Sequence, residues 1–217
     1  MAESGDGPIK AVIFDFDGTL SNSGDWFLTV VDHLANRFNF RSVVDDEVEM
    51  LRHKTTREVI GYLGISRWKL PLIARYVRKL VAKNTREIAL FPGTEAMLEE
   101  LADSGMRMAL VTSNAEANAR AILGPVNAAR FEFYAAGSSL FGKAPKFRKV
   151  LKQMDLLPHE TLSVGDETRD VDAAREVGMR AGAVLWGYAA EEALTKLKPD
   201  ALFRSHQDLL TFVAARR

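Results

Sequence analysis

Asp15 and Asp17 stand two positions apart at the end of the apolar run Ile9-Lys-Ala-Val-Ile-Phe14. Side chains at i and i+2 of an extended chain point to the same side, so two carboxylates share the carboxyl edge of one buried strand. Charge concentrated beside an apolar strand is costly unless a cation or hydrogen-bond donors compensate it. Carboxylate and carbonyl oxygens suit Mg²⁺, a hard ion that keeps several waters and binds phosphate oxygens. The chemistry indicated is therefore metal-assisted handling of a phosphate. Taken alone, Asp15-Phe-Asp-Gly18 reads equally as a turn after a strand, because Asp and Gly favour turns.

A second acidic cluster adds weight to the chemical reading. Thr161-Leu-Ser-Val-Gly is another apolar strand ending in acid, at Asp166, and a helix beginning Glu167-Thr-Arg-Asp170 follows. Asp170 shares a helical face with Ala173, Ala174 and Val177 and is expected to point inward, where an acid needs a partner. Asp172 lies off that face and fits the ordinary preference of acids for helix N-termini. Two more strand ends complete the set. Met108-Ala-Leu-Val runs into Thr112-Ser113-Asn114, a hydroxyl and free backbone N–H groups where a helix opens, suited to an anion and equally to simple capping. Phe141-Gly142-Lys143-Ala144-Pro145-Lys146 places two lysines before a further helix, either able to neutralise a phosphate or a carboxylate, or to be plain solvated surface.

The elements that must position these groups alternate. Strands are expected at Ile9 to Phe14, Met108 to Val111, Phe131 to Ala135, Thr161 to Val164 and Ala181 to Trp186. Helical spacing lies between them, in Met97, Leu98 and Leu101 and again in Phe147, Val150, Leu151 and Met154. Asp200 to Arg204 and then Leu209, Leu210 and Val213 add a last strand and helix. Such alternation predicts an α/β fold with a Rossmann-like, doubly wound parallel sheet. Between Ser21 and Leu90 it stops: Trp26 to Phe38 and Leu72 to Leu80 keep helical spacing with no strand between. This predicts an inserted α-helical cap over 21–90, on a core of 9–20 and 91–217, with residues 1–8 a mobile tail. Ser23-Gly24 and Phe91-Pro-Gly93 are turn-forming and suit hinges; rigid packing of the same helices on the sheet is the alternative.

Composition narrows the partners. Lys and Arg (29) balance Asp and Glu (29), so the broad positive field that drives nonspecific nucleic-acid or anionic-membrane binding is missing. Zero cysteines exclude disulfides and thiol chemistry. No run approaches a membrane span, and Met1 to Pro8 lacks the basic and then apolar residues of a signal peptide, so a cytoplasmic location is expected. Oligomeric state is not readable from these features.

The four strand-end clusters, in this order, resemble the haloacid dehalogenase-like hydrolase superfamily, in its phosphoglycolate-phosphatase-like branch with a helical cap. Asp15-Phe-Asp-Gly-Thr-Leu20, Val111-Thr-Ser-Asn114, the Gly142-Lys143 region and Gly165-Asp-Glu-Thr-Arg-Asp170 match its four motifs, and the likeness runs from Ile9 to about Asp200. The resemblance implies a Mg²⁺-dependent phosphatase acting on a small phosphorylated metabolite through an aspartyl-phosphate. It implies Asp15 as nucleophile and Asp17 as general acid and base, with Thr112, Lys143, Gly18, Thr19, Ser113 and Asn114 around the phosphate. It also implies a metal held by Asp15, Asp166, the Asp17 backbone carbonyl and, directly or through water, Asp170. Lys143 is preferred to Lys146 because it follows the glycine turn directly, while Lys146 suits a solvent-facing helix position. A sugar phosphomutase or a nucleotidase shares these motifs. From another class, a receiver-type phospho-accepting module also uses clustered Asp, Thr and Lys, but its acceptor follows a middle strand and it lacks a large cap. Cap residues Arg52, His53, Lys54 and Arg57, and the basic residues from Arg67 to Lys83, are candidates for substrate contact or for solvation alone.

Overall fold

The computed structural model describes residues 7–137 and 142–217. Within the expected tail only Gly7 and Pro8 are among these, and Arg180 Nη2 donates to the Gly7 carbonyl at 2.6 Å. Of the third motif, Phe141 lies outside the described residues. Six strands, β1 (Ala11–Phe14), β2 (Arg107–Val111), β3 (Phe133–Ala135), β4 (Thr161–Gly165), β5 (Arg180–Val184) and β6 (Ala201–Phe203), form one sheet. All pair in parallel in the order β3-β2-β1-β4-β5-β6. The doubly wound α/β sheet expected from the alternation is thus present.

The short apolar runs become strands because both faces of the sheet are covered. Val12 and Phe14 of β1 join a core with Met97, Leu98, Leu123 and Leu209, while Ala11 and Ile13 join the opposite core with Phe147, Val150, Val171 and Ala174. That alternation is the period of two of an extended chain. Helices α5 (Thr94–Asp103), α6 (Glu116–Ala129) and α10 (His206–Ala214) cover the first face; α7 (Ala144–Gln153), α8 (Thr168–Glu176) and α9 (Glu191–Thr195) cover the second. Gly124-Pro125 interrupts α6 with a non-helical glycine, as proline removes a helical donor.

Between β1 and α5 lie the expected helices: α1 (Ser23–Phe38), α2 (Asp45–Arg52), α3 (Thr56–Tyr62) and α4 (Leu70–Lys83). Their shared core is small. Trp26 and Val81 bury with Ile88, against Val30, Val77 and Leu80, and Ile122 of α6 touches the same cluster. Helices α2 and α3 bury no residue. The chain enters and leaves this segment side by side, through a bridge of Ser21 to Leu90.

Three local expectations are corrected. Ser23-Gly24 is the first turn of α1 and not a loop. Strand β3 begins at Phe133; Phe131 instead packs edge-on against Phe14, with centroids 6.4 Å apart. Strand β5 stops at Val184, and Trp186 leaves the sheet to stack on His206 and donate to the Thr19 carbonyl at 2.9 Å. Among the described residues no helix is long and apolar enough to cross a membrane.

Candidate active site

The strand order brings the acids together. β1 and β4 are neighbours in register, Phe14 opposite Val164, and the Asp15 N–H donates to the Val164 carbonyl at 2.9 Å. The groups following β1 and β4 therefore emerge side by side at the carboxyl edge, where the direction of winding reverses and where open α/β sheets bind ligands. Oxygens of Asp15, Asp166 and Asp170 all lie within 4.8 Å of one another, and all three residues are buried. Lys143, which precedes α7, reaches them: its Nζ is 2.6 Å from Asp15 Oδ2 and pairs also with Asp170 Oδ1. Lys146 is partly exposed and makes no ion pair among the described residues.

Each acid is fixed by its own supports. Asp166 accepts from Thr19 Oγ1 at 2.8 Å and from the Tyr188 N–H at 2.9 Å. Asp170 accepts from the Glu167 N–H at 3.1 Å and so closes a capping box at the start of α8 while facing the cluster. Its inward position is the expected one, and Asp172 is exposed. Gly18 holds a positive φ of 80°, and a Cβ there would overlap the Asp166 carboxylate, so only glycine fits the turn that returns the chain past the acids.

Three acids against one lysine, with Arg169 beside them, leave the cluster short of positive charge. Burial pushes the Asp15 carboxyl up to about 7, with Lys143 opposing and Asp170 adding to the rise. Burial and then the charges of Glu167, Asp15 and Asp170 carry Asp166 well above the carboxylate range. Burial alone would push Lys143 down, but Asp15 and Asp170 together hold it above its ordinary value. Hard oxygens crowded in a low-dielectric pocket and resisting ionisation are the donor set that a divalent cation such as Mg²⁺ satisfies.

Asp17 is built differently. Its carboxylate takes no part in the three-acid cluster; Oδ1 accepts from Ser23 Oγ at 2.9 Å and Oδ2 lies 3.4 Å from Thr112 Oγ1. Burial raises its pKa against hydrogen bonds from Ser23 and Asn114. Any share of Asp17 in metal binding thus falls to its carbonyl and not its side chain. Thr112 is fully buried and also accepts from the Asn114 N–H at 2.9 Å. Ser113 sits on the rim, while Asn114 is buried and its Oδ1 accepts from Ala115 N–H and Asn118 Nδ2. Thr19 supports Asp166, donating to its Oδ1 at 2.8 Å.

Two of the basic candidates of the helical insertion reach this edge: Arg52 donates to the carbonyls of Tyr188 (3.1 Å) and Gly187 (3.3 Å), and Arg78 donates to the Ser113 carbonyl (3.2 Å). Sequence reasoning missed Thr56, which donates to Glu167. Ser23 and Tyr188 were likewise not singled out; the only signal was an aromatic-glycine-aromatic triplet, Trp186-Gly-Tyr188, just beyond a strand.

Comparison with known proteins follows the geometry. The family model described as haloacid dehalogenase-like hydrolase matches residues 12–184. A phosphoglycolate phosphatase of Synechococcus elongatus is 30% identical over 206 residues, covering 94% of this chain and 97% of that protein. The tyrosine-protein kinase PtkA of Mycobacterium tuberculosis is 29% identical over 191 residues, 86% of this chain and 66% of the kinase. Among solved structures, a haloacid dehalogenase-like family hydrolase of Streptococcus pneumoniae superposes with a TM-score of 0.78 at 22% identity, over 94% of this chain and 98% of that one.

Proposed function

This chain belongs to the haloacid dehalogenase-like hydrolase family, and we propose that it is a Mg²⁺-dependent phosphatase that hydrolyses a small phosphate monoester such as phosphoglycolate. The observation that carries the reading is the division of labour between two aspartates: Lys143 joins Asp15 to the buried cluster, while Asp17 is held apart on its own hydrogen bonds. The name of the S. elongatus relative supports the substrate class.

In this reading the Asp15 carboxylate attacks phosphorus in line with the leaving oxygen, forming an acyl phosphate as the ester P–O bond breaks. Asp17, whose raised pKa favours the protonated form, gives its proton to the departing oxygen. The Asp17 carboxylate so formed takes a proton from water, the resulting hydroxide attacks phosphorus, and cleavage of the Asp15 O–P bond releases phosphate. Lys143, Thr112 Oγ1 and the Ser113 N–H neutralise the phosphate oxygens. Asp15, Asp166 and Asp170 would hold Mg²⁺, which when bound screens the phosphate charge from the attacking carboxylate. The helices between residues 21 and 90 act as a cap that shuts out bulk water, held to the core by Arg52, Thr56 and Arg78.

Phosphate release from phosphoglycolate and from p-nitrophenyl phosphate, with Mg²⁺, tests the proposal. Asp15→Asn should keep the parent circular dichroism and lose roughly a thousandfold or more in turnover. A loss within about tenfold, ~1.4 kcal/mol, removes Asp15 from the nucleophile's role.

A further inference from the structure

Trp186-Gly-Tyr188 follows β5, and neither the motifs nor the mechanism above uses the tyrosine side chain. Yet Tyr188 makes three polar contacts around the site. Its N–H donates to Asp166 Oδ2 at 2.9 Å, its carbonyl accepts from Arg52 Nε at 3.1 Å, and its hydroxyl lies 2.9 Å from Ser23 Oγ. Two glycines make room for the ring. A Cβ on Gly24 would overlap Cε1 of Tyr188, and one on Gly18 would come within 2.8 Å of Cδ2. The phenol is therefore wedged between the acid turn and the first turn of α1.

The direction of the hydrogen bonds follows from counting protons. Ser23 has one hydroxyl hydrogen, and it goes to Asp17 Oδ1 at 2.9 Å. In the contact between Ser23 and Tyr188, tyrosine must then be the donor. Burial, then the charge of Asp17, hold the phenol above its ordinary pKa, so it keeps its hydrogen. A one-way chain results, from Tyr188 O–H to Ser23 O–H to Asp17 Oδ1, each donor polarised by the next. It fills Oδ1 and leaves Oδ2, 3.4 Å from Thr112 Oγ1 just beyond β2, as the oxygen outside the chain.

We propose that Tyr188 is a positioning residue: through Ser23 it fixes the Asp17 carboxylate so that Oδ2 faces the leaving group. Ser23 belongs to α1 and Arg52 to α2, so the chain is complete only while those two helices lie against the loop after β5. Tyr188 thereby makes the orientation of the acid depend on cap docking.

The inference rests on the phosphatase reading, and the test separates the two. Tyr188→Phe keeps the ring and both main-chain contacts and deletes only the hydroxyl. Turnover of phosphoglycolate, whose alkoxide needs a proton, should fall about tenfold, the scale of one ordinary hydrogen bond, whereas p-nitrophenyl phosphate should change less than about twofold. Ser23→Ala should show the same split and Ser23→Thr, which retains a hydroxyl, should restore the parent ratio. Equal losses on both esters, or none on either, overturn the proposal. If the parent cleaves neither ester, the phosphatase reading fails by itself, and crystals of Tyr188→Phe still decide this one: a rotated Asp17 carboxylate supports it and an unmoved one overturns it.

Discussion

Replacing Lys143 by alanine removes the one lysine that joins the acids, and its effects should be both catalytic and pH-dependent. The ammonium is 4% exposed and sits between Asp15 (6%) and Asp170 (2%). Deleting one partner of a buried pair costs ~3–5 kcal/mol when the other stays charged. Asp15 escapes part of that cost by binding a proton, which sets the pH dependence. Asp15 titrates near 7 in the fold against 3.8 when free, so between those values the native state holds more protons than the unfolded chain, and stability falls as pH rises. Lys143 limits that fall by drawing Asp15 down; without it the fall deepens and extends above pH 7. Below about pH 4 Asp15 is mostly neutral in both states, and the lysine then has no Asp15 charge to lose. Lys143→Ala should thus melt about 6–20 °C below the parent at pH 8, from ~2–4 °C per kcal/mol for a chain of this size, and much closer to it at pH 5. Turnover should drop roughly a hundredfold or more, by analogy with one lost oxyanion donor. Lys146→Ala, on the partly exposed side of α7, should stay within about 0.5 kcal/mol of the parent. Scanning calorimetry at the two pH values and kcat for both variants settle it. Equal melting deficits at pH 5 and 8, turnover within about tenfold of the parent, or the larger loss in Lys146→Ala would refute the reasoning.

Two further outcomes follow from the same geometry. Saturating Mg²⁺, at about a hundred times its Kd, should raise Tm by roughly 5–11 °C at pH 8, and by less at pH 5, where protons compete for Asp15 and Asp166; no shift at pH 8 removes the metal assignment. Gly24→Ala gains up to ~1 kcal/mol of helix propensity but drives a methyl into the Tyr188 ring at ~1–3 kcal/mol, so a lowered Tm is expected and a raised one would show that the ring is not confined there.

The core was legible because its strands are buried on both faces and so are written as unbroken apolar runs, each ending in a polar group where the sheet's carboxyl edge begins. Strand ends placed Asp15 and Asp166 at the sheet's carboxyl edge and helical phase turned Asp170 inward, while their union at one site came from the family resemblance; the structure brings the three within 4.8 Å. The errors have physical causes. Phe131 extends an apolar run for the sake of an edge-on contact with Phe14, not for pairing. Ser23-Gly24 has the composition of a turn, yet the glycine is needed inside a helix because a ring from residue 188 fills the place of its Cβ. The neighbouring hydrogen bond between Tyr188 and Ser23 spans 165 positions, and no local pattern encodes it.

The placement of Asp17 shows what the missing long-range information controls. Its spacing from Asp15 predicts two like carboxylates on one side, and by spacing alone both belong to one cation. What separates them is the sharp turn at Gly18, where the Phe16 carbonyl accepts from the N–H groups of Thr19, Leu20 and Ser21 and sends the chain into α1 within a few residues. The turn brings Ser23 back to Asp17, so the residue that holds the acid is also the first residue of α1. A rigid-body shift of α1 cannot then leave Asp17 undisturbed, since it carries away the donor to Oδ1. Asp15 has no such tie: its partners are the Val164 carbonyl behind its own N–H and Lys143 at the head of α7, both in the core. In the proposed mechanism the chain would thus supply, within ten residues, a nucleophile anchored to the sheet and an acid anchored to α1, and only the second would depend on how the inserted helices sit.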